Sequence, residues 1–363
     1  MIYFRNVRVS ELKLYHFKNH SENSWSFCDK INAFAGLNGV GKTNILDALY
    51  YLSTTKSYFN HSDQQLILFG EKEASVFAKI QKDQEYEILG SFGETRKKTF
   101  KKNGKAYSRL VDHIGFLQAV FITPYDVDLV FEGSEERRKF IDFTISQLNK
   151  EYLNDLLEYR KVLDQRNAFL KSLDGRLMDT LLLESFNRTL IPVGTRIYEN
   201  RKKFLADFLH IFQEIHDTLA QSETNVSLKY ESGLNESTFD LLLKENSQRD
   251  VFAQRTTQGI HKDDLTFDIN AMPLKKFGSQ GQIKTFVVAL KLAQYQYLKR
   301  QSNDLPILLL DDIFEKIDAS RSQRLMEMVC SEDYGQIFIS DTHGQRIKEH
   351  FEPFEVAFKL FEL

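Results

Sequence analysis

Gly36-Leu37-Asn38-Gly39-Val40-Gly41-Lys42-Thr43 fits G-x-x-x-x-G-K-[ST], the pattern of a loop that cradles nucleotide phosphates. Ile31-Asn32-Ala33-Phe34-Ala35 precedes it and reads as a short buried strand. Asn44 to Leu52 follows and reads as a helix, with Ile45, Leu49 and Leu52 on one face. The glycines let backbone N–H groups curl around a β-phosphate, and the helix N-terminus adds partial positive charge. Lys42 reaches the β- and γ-phosphates, and Thr43 offers its hydroxyl to Mg²⁺. The bland alternative, a chance glycine turn before a surface helix, does not explain both flanks.

The 363 residues and 42% apolar content are those of a globular chain. That length passes the roughly 250–300 residues at which single cores stop growing, so at least two lobes are expected. A net charge of -3 gives no overall signal for nucleic acid, and any such site must be a local patch. Cys28 and Cys330 are the only cysteines. They build neither a zinc site nor a disulfide framework, and they fit a cytoplasmic, reducing setting. No secretory signal is visible at the N-terminus. No apolar run approaches the ~18 residues that cross a bilayer.

Val9 to Phe17 alternates as a strand, with Ser24 to Phe27 as its hairpin partner. Alternation from about Ala74 to Ile122, with Asn103-Gly104 as a two-residue hairpin turn, predicts an antiparallel sheet beside the nucleotide core. That hairpin carries Arg96, Lys97, Lys98, Lys101, Lys102, Lys105 and Arg109, with Phe100 and Tyr107 interleaved. Two readings stand: a ribbon gripping a phosphate backbone, or an edge strand protected by lysines. From Asn149 the texture turns helical, with Leu156, Leu163 and Leu170 at heptad spacing. A break at Asp174-Gly175 leads to Leu183, Leu190, Ile197, Phe204 and Ile211, again seven apart. These helices suit a short antiparallel arm or an all-α lobe. Pro192 is expected to kink or split the second. Boundaries are thus expected at 1–146, 147–224 and 225–363. Val226 to Tyr230 and Leu265 to Ile269 read as strands.

The other half of a nucleotide site lies far along the chain. Pro306-Ile307-Leu308-Leu309-Leu310 is an apolar strand ending in Asp311 and Asp312. Such a strand delivers Asp311 to a Mg²⁺ shared with Thr43, the Walker B arrangement. Asp312 is then placed to orient or deprotonate an attacking water. The alternation of a strand sends the two carboxylates to opposite sides. Ser279-Gln280-Gly281-Gln282 opens a long helix, with Ser279 as cap, and forms a second anion-binding helix N-terminus.

Walker A, then S-x-G-Q before a long helix, then an apolar strand with two aspartates, is the order of ABC ATPase heads, which this chain resembles. The resemblance implies an α/β head, a P-loop core with mixed sheet plus antiparallel β subdomain, interrupted by a short helical arm. It implies ATP as ligand, and a signature loop of Ser279, Gly281 and Gln282 acting on the twin subunit's nucleotide. Asp318 resembles the D-loop aspartate, and His343 the switch histidine. A lone loop histidine is more often only a surface residue.

Several runs are similar to the RecF family in particular: Leu12 to Asn19, Thr123-Pro124-Tyr125-Asp126, Glu136 to Asp142, Leu157 to Asn167, and Gly259-Ile260-His261-Lys262-Asp263-Asp264-Leu265. Departures are Phe59 where the family usually has a polar residue, Lys284 where Arg is commoner, and Asp126 in the region where a Q-loop glutamine stands. Arg137 and Arg138 suit DNA contact or pairing with Glu135 and Asp142. Gln165-Arg166-Asn167 suits a hinge, a partner surface or a solvated face. His261, Asp263 and Asp264 read as a capped turn before a strand rather than a metal site.

The resemblance implies a slow ATPase and DNA clamp that dimerises with ATP on duplex beside single-strand gaps. The implied partners are RecR and RecO, and the implied roles are repair, replication restart and SOS induction. An SMC-type chromosome organiser would need a far longer arm. A transporter subunit has no use for the RecF-like runs. A nucleotide-gated module without turnover conflicts with the intact Asp311-Asp312 pair.

Overall fold

The computed structural model describes residues 4–173, 180–220, 225–313 and 319–363. They cluster into two compact units, Met1–Val127 with Ile211–Glu223 and Ser279–Leu363, and Asp128–His210 with Thr224–Gly278. One unit limit falls at Glu223/Thr224, beside the one that sequence texture suggests at 224, and the others fall after Val127, His210 and Gly278, with none at 146. Among the described residues no helix is long and apolar enough to cross a membrane.

The first unit is built on a five-stranded parallel sheet. Its order is Phe358–Glu362, Ile31–Ala35, Ile337–Asp341, Ile307–Asp311, Ala119–Ile122. The four strands from Ile31–Ala35 to Ala119–Ile122 are buried throughout and read as continuous apolar runs, as parallel strands covered on both faces do. Ile337–Asp341 separates the phosphate-loop strand from the Asp311 strand, and its register sets Ser340 opposite Asp311. Helix Lys42–Thr54 follows the loop and buries Ile45, Leu49 and Leu52.

A six-stranded antiparallel sheet lies in the same unit, in the order His20–Ser26, Arg8–Phe17, Glu73–Gln81, Glu85–Gly93, Thr99–Lys102, Lys105–Ala106. Ala74, Val76, Ala78 and Ile80 alternate inward onto a core shared with Ile45, Leu49 and Leu52. Asn103 and Gly104 both take positive φ, 49° and 77°, as a primed two-residue turn needs. The expected antiparallel stretch ends early. Ala119–Ile122 pairs in parallel with Ile307–Asp311, because all four of its residues are buried and none alternates outward.

The second unit holds helices Ser134–Ser146 and Lys150–Ser172, most of helix Thr180–Ala220, and the antiparallel strands Val226–Glu231, Asp264–Ile269 and Met272–Pro273. The heptad helices therefore share a compact unit with a small sheet, and an all-α lobe is excluded. Leu183, Leu190, Ile197, Phe204 and Ile211 are buried. Pro192 does not split its helix, which runs unbroken from Thr180 to Ala220. Pro192, and Arg188 whose carbonyl loses its i+4 donor, both lie on the exposed side of the helix. The break at Asp174-Gly175 lies outside the described residues.

Two buried arginines anchor this unit, and the first bears on the reading of Gln165-Arg166-Asn167 as a surface. Arg166 donates to Asp250 at 2.8 Å, to Thr256 at 2.6 Å and to Asn187 at 3.1 Å. Asn167 accepts from the Thr256 amide and hydroxyl at 2.7 and 2.8 Å. Arg166 and Asn167 are thus committed to contacts inside their own unit, while Gln165 is exposed. Arg201 forks onto both oxygens of Asp142 at 2.9 Å and reaches Asp263 at 2.9 Å. Arg137 pairs with both oxygens of Asp264 at 2.7 and 3.0 Å. Arg138 donates to Ser134 and to the Asp263 carbonyl at 2.7 and 2.6 Å. Arg137 is thus paired with Asp264, and Arg138 is bonded to Ser134 of its own helix and to a backbone carbonyl, so neither bonds Glu135 or Asp142.

Candidate nucleotide site

The phosphate loop leaves its strand at Gly36 and enters its helix through Gly41, the N-cap residue, at φ 111°. Lys42 is 5% exposed. Its ammonium bonds the carbonyls of Gly36 and Leu37 at 2.7 and 3.0 Å, so it lies curled inside the loop. Thr43 donates its hydroxyl to Asp311 Oδ1 at 2.8 Å, which joins two residues that are 268 positions apart. Ser340 donates to the same oxygen at 2.5 Å. Burial pushes the Asp311 carboxyl above the usual carboxylate range, and the two hydroxyls pull it back. A cavity of about 510 Å³ opens beside these groups, lined by Lys18, Asn44, Phe59 and Tyr125 as well as Thr43, Asp311 and Asp312.

Asp312 diverges from Asp311 by a different device than strand alternation. The strand ends at Asp311, and Asp312 turns off it at φ 44° with its amide on Ser340 Oγ at 3.1 Å. Aspartate is among the residues that tolerate this left-handed geometry. Both carboxylates still line the cavity.

The oxygen-rich pair Thr43 and Asp311 suits a hard divalent cation such as Mg²⁺. That ion typically takes one or two protein oxygens and completes its shell with phosphates and water. Among the described residues no group of three acidic, histidine or cysteine side chains is placed to hold a metal by itself. His261, Asp263 and Asp264 are each tied into their own unit, Asp263 to Arg201 and Asp264 to Arg137. His261 accepts from Tyr159 at 2.9 Å and donates to the Thr256 carbonyl at 3.0 Å, and burial pushes its pKa down to about 4.

The other expected site residues lie elsewhere. Ser279 caps helix Gln280–Ser302 in a full capping box, its hydroxyl accepting from the Gln282 amide at 3.2 Å. The Gln282 side chain accepts from the Ser279 amide at 2.8 Å, so Gln282 is occupied within its own chain. His343 is exposed at the start of helix Gly344–Phe351, its amide on Asp341 Oδ1 at 2.8 Å. Neither Ser279 nor His343 lines the cavity. Asp318 lies outside the described residues. In the basic hairpin, Lys98 pairs with Asp63 at 2.8 Å and Lys102 sits over the Tyr86 and Phe116 rings at 4.3 and 4.2 Å. Lys97 and Lys105 are exposed and Lys101 is half-buried.

Three further polar groups complete the surroundings of the site, of which only Asp126 is marked in the sequence, by its place in the Q-loop region. Ser340 gave no signal beyond its place near a strand end. Lys18 holds Asp47 at 2.7 Å and stands over the Phe59 ring at 5.4 Å, on the cavity wall. Asp126 is buried between Lys291 at 3.1 Å and the Tyr58 hydroxyl, closing a polar knot where a Q-loop glutamine was sought.

A parallel sheet with a glycine loop, a buried lysine and a threonine–aspartate bond between the two half-motifs defines a P-loop ATPase head. The family model of the RecF/RecN/SMC N terminal domain matches residues 8–359. A "DNA replication and repair protein RecF" of Flavobacterium johnsoniae is 47% identical over 98% of this chain and 100% of its own length. That of Cytophaga hutchinsonii is 40% identical over 97% of this chain and 94% of its own. The solved recombination mediator protein RecF-ATPrS in the RecFOR pathway superposes with a TM-score of 0.89 at 26% identity, covering 100% of this chain and 98% of that one. An Smc head domain from Pyrococcus furiosus shares the fold at a TM-score of 0.54 and 16% identity, with 93% of this chain and 90% of that one covered. The chain belongs to the RecF family, whose curated members named here are DNA replication and repair proteins.

Proposed function

We propose that this chain is an ATP-gated DNA-binding ATPase of recombinational repair. The observation that carries the reading is the bond from Thr43 to Asp311, with Lys42 sealed inside the glycine loop beside it. The family's solved RecF-ATP and RecF-ATPrS structures support ATP as the ligand. Gly36 to Gly41 cradle the phosphates with backbone N–H groups, Lys42 turns from loop carbonyls to phosphate oxygens, and Asn44 flanks the cradle. Thr43 and Asp311 hold Mg²⁺, which supplies charge neutralisation at the phosphates. Asp312 orients the attacking water and takes its proton.

Ser279 and Gly281 sit on an exposed helix start, which suits them to complete the site of a second copy, so ATP closes a homodimer. Duplex DNA beside a single-strand gap is the substrate, slow hydrolysis releases it, and RecR and RecO are the partners that membership implies, in the cytoplasm. Sedimentation with ATP, with ADP, and with ATP plus gapped DNA tests this. Dimers with ATP alone and retention on gapped DNA are expected. A monomer under every condition refutes the gate.

A further inference from the structure

We propose that Asn19 and His20 form a positioning clamp for the phosphate loop, acting on nucleotide affinity without touching the nucleotide. The inference rests on the nucleotide reading above. A loop that turns its N–H groups inward to a phosphate must turn its carbonyls outward, and outward carbonyls need donors of their own. Asn19 Nδ2 donates to the Val40 carbonyl at 3.0 Å and reaches that of Gly39 at 3.4 Å. His20 Nε2 donates to the Gly41 carbonyl at 3.2 Å. Three successive loop carbonyls are therefore held by one turn of the neighbouring hairpin.

The clamp is itself held. Asn44 Nδ2 donates to Asn19 Oδ1 at 2.8 Å, which fixes which way the Asn19 amide faces. His20 is 6% exposed, edge-on to Trp25 at 5.5 Å, with its other ring nitrogen 3.2 Å from Asn23 Oδ1. Gly41 shows how close the contact is. A Cβ there would lie 2.7 Å from the Asn19 amide and from His20 Nε2, and the residue also needs φ 111°. Only glycine meets both conditions.

The test compares two substitutions of equal size in the full-length chain. His20→Gln keeps an N–H at the position of Nε2, whereas His20→Glu replaces that donor with an acceptor facing the Gly41 carbonyl. Asn19→Asp does the same to Gly39 and Val40. The cradle binds phosphate alike in the ground and transition states, so the Glu and Asp variants should raise KM and the ATP dissociation constant about tenfold at nearly parental kcat. The Gln variant should stay close to the parent. A mere folding defect lowers the active fraction, so kcat falls while KM holds. That pattern, or parental KM in both Glu and Asp variants, overturns the clamp. Lys42→Ala separates the two levels: if it binds ATP as the parent does, the nucleotide reading itself fails.

Discussion

Buried charges are handled in opposite ways at the phosphate loop and in the unit Asp128–His210 with Thr224–Gly278. Lys42 and Asp311 are 5% and 4% exposed, yet among the described residues neither is in an ion pair. Lys42 rests on two carbonyls and Asp311 accepts from two hydroxyls. Neutral partners of this kind can be exchanged for a phosphate oxygen or a cation at little cost. Arg166 and Asp250, both 0% exposed, are closed against each other, as are Arg201 and Asp263 at 1% each. A sealed pair has its charge already matched, and removing one member strands the other. Lys291 with Asp126 shows that the first unit uses sealed pairs as well, away from the loop. Burial alone therefore does not mark a site; the neutrality of the partners does.

The largest effect expected from breaking this contrast is at Asp312. Asp312→Asn keeps shape and polarity but removes the proposed base, so hydrolysis should slow by ~10²–10⁴-fold while ATP binding persists. Asp311→Asn should weaken nucleotide binding in Mg²⁺, because it removes the anionic oxygen next to Thr43. Equilibrium ATP binding and single-turnover hydrolysis separate the two. Parental hydrolysis in Asp312→Asn, or loss of ATP binding, would show that the roles are assigned wrongly.

Next in size is Arg166→Leu. It leaves Asp250 buried with only the Thr257 amide and hydroxyl, at 2.8 and 2.6 Å. The expected cost is about 3–5 kcal/mol in denaturant unfolding of its unit. ATP affinity, measured where the protein is still folded, should not change. A cost below ~1 kcal/mol would place Arg166 with ordinary surface charges.

These two positions also show what was legible in the chain. The loop, Lys42, Thr43, Asp311 and the Ser279 cap could be read because each function rests on local backbone geometry at fixed spacing. Arg166 could not, because its partners Asp250 and Thr256 lie 84 and 90 residues away and nothing in the helix period marks a polar residue as buried. The heptad reading took Leu156, Leu163 and Leu170 as the stripe. Leu163 and Leu170 are buried and Leu156 half-buried, while Tyr152, Tyr159 and Arg166, also seven apart, are buried and carry hydroxyl and guanidinium inward. Ala119–Ile122 was misplaced for a related reason: in a four-residue apolar run the parallel and antiparallel readings look alike.

His261 sharpens the same point through pH. Burial lowers its pKa from 6.5 to about 4, and its ring is satisfied in the neutral form by Tyr159 and Thr256. The unfolded chain therefore binds the proton first as pH falls. Stability is fully present above about pH 6.5, declines toward about pH 4 and then levels off. The decline from this one group is limited to about 1.4 kcal/mol per pH unit. Unfolding at several pH values should show a shallower acid slope in His261→Asn than in the parent. Equal slopes would mean that the neutral state of His261 is not what the fold selects.

The smallest effect separates exchangeable from committed charge on the hairpin. Lys98 is spent on Asp63 and Lys102 on two aromatic rings, whereas Lys97 and Lys105 are exposed and Lys101 half-buried. If this ribbon meets DNA, the second group supplies the phosphate contacts. Each lost contact removes about 0.9 from the slope of log affinity against log salt. Lys97→Ala with Lys101→Ala and Lys105→Ala should therefore flatten that slope by up to about 3 units, at a modest loss of affinity. Lys98→Ala with Lys102→Ala should leave the slope unchanged and cost fold stability instead, since a cation over a ring is worth roughly 0.5–1 kcal/mol at exposed sites. The paired comparison is stricter than either mutant alone, because both remove positive charge from the same hairpin. Should the two sets flatten the slope equally, general field rather than contact would be at work. If neither set changes the slope, the lysines only guard a sheet edge, and the duplex must be gripped elsewhere.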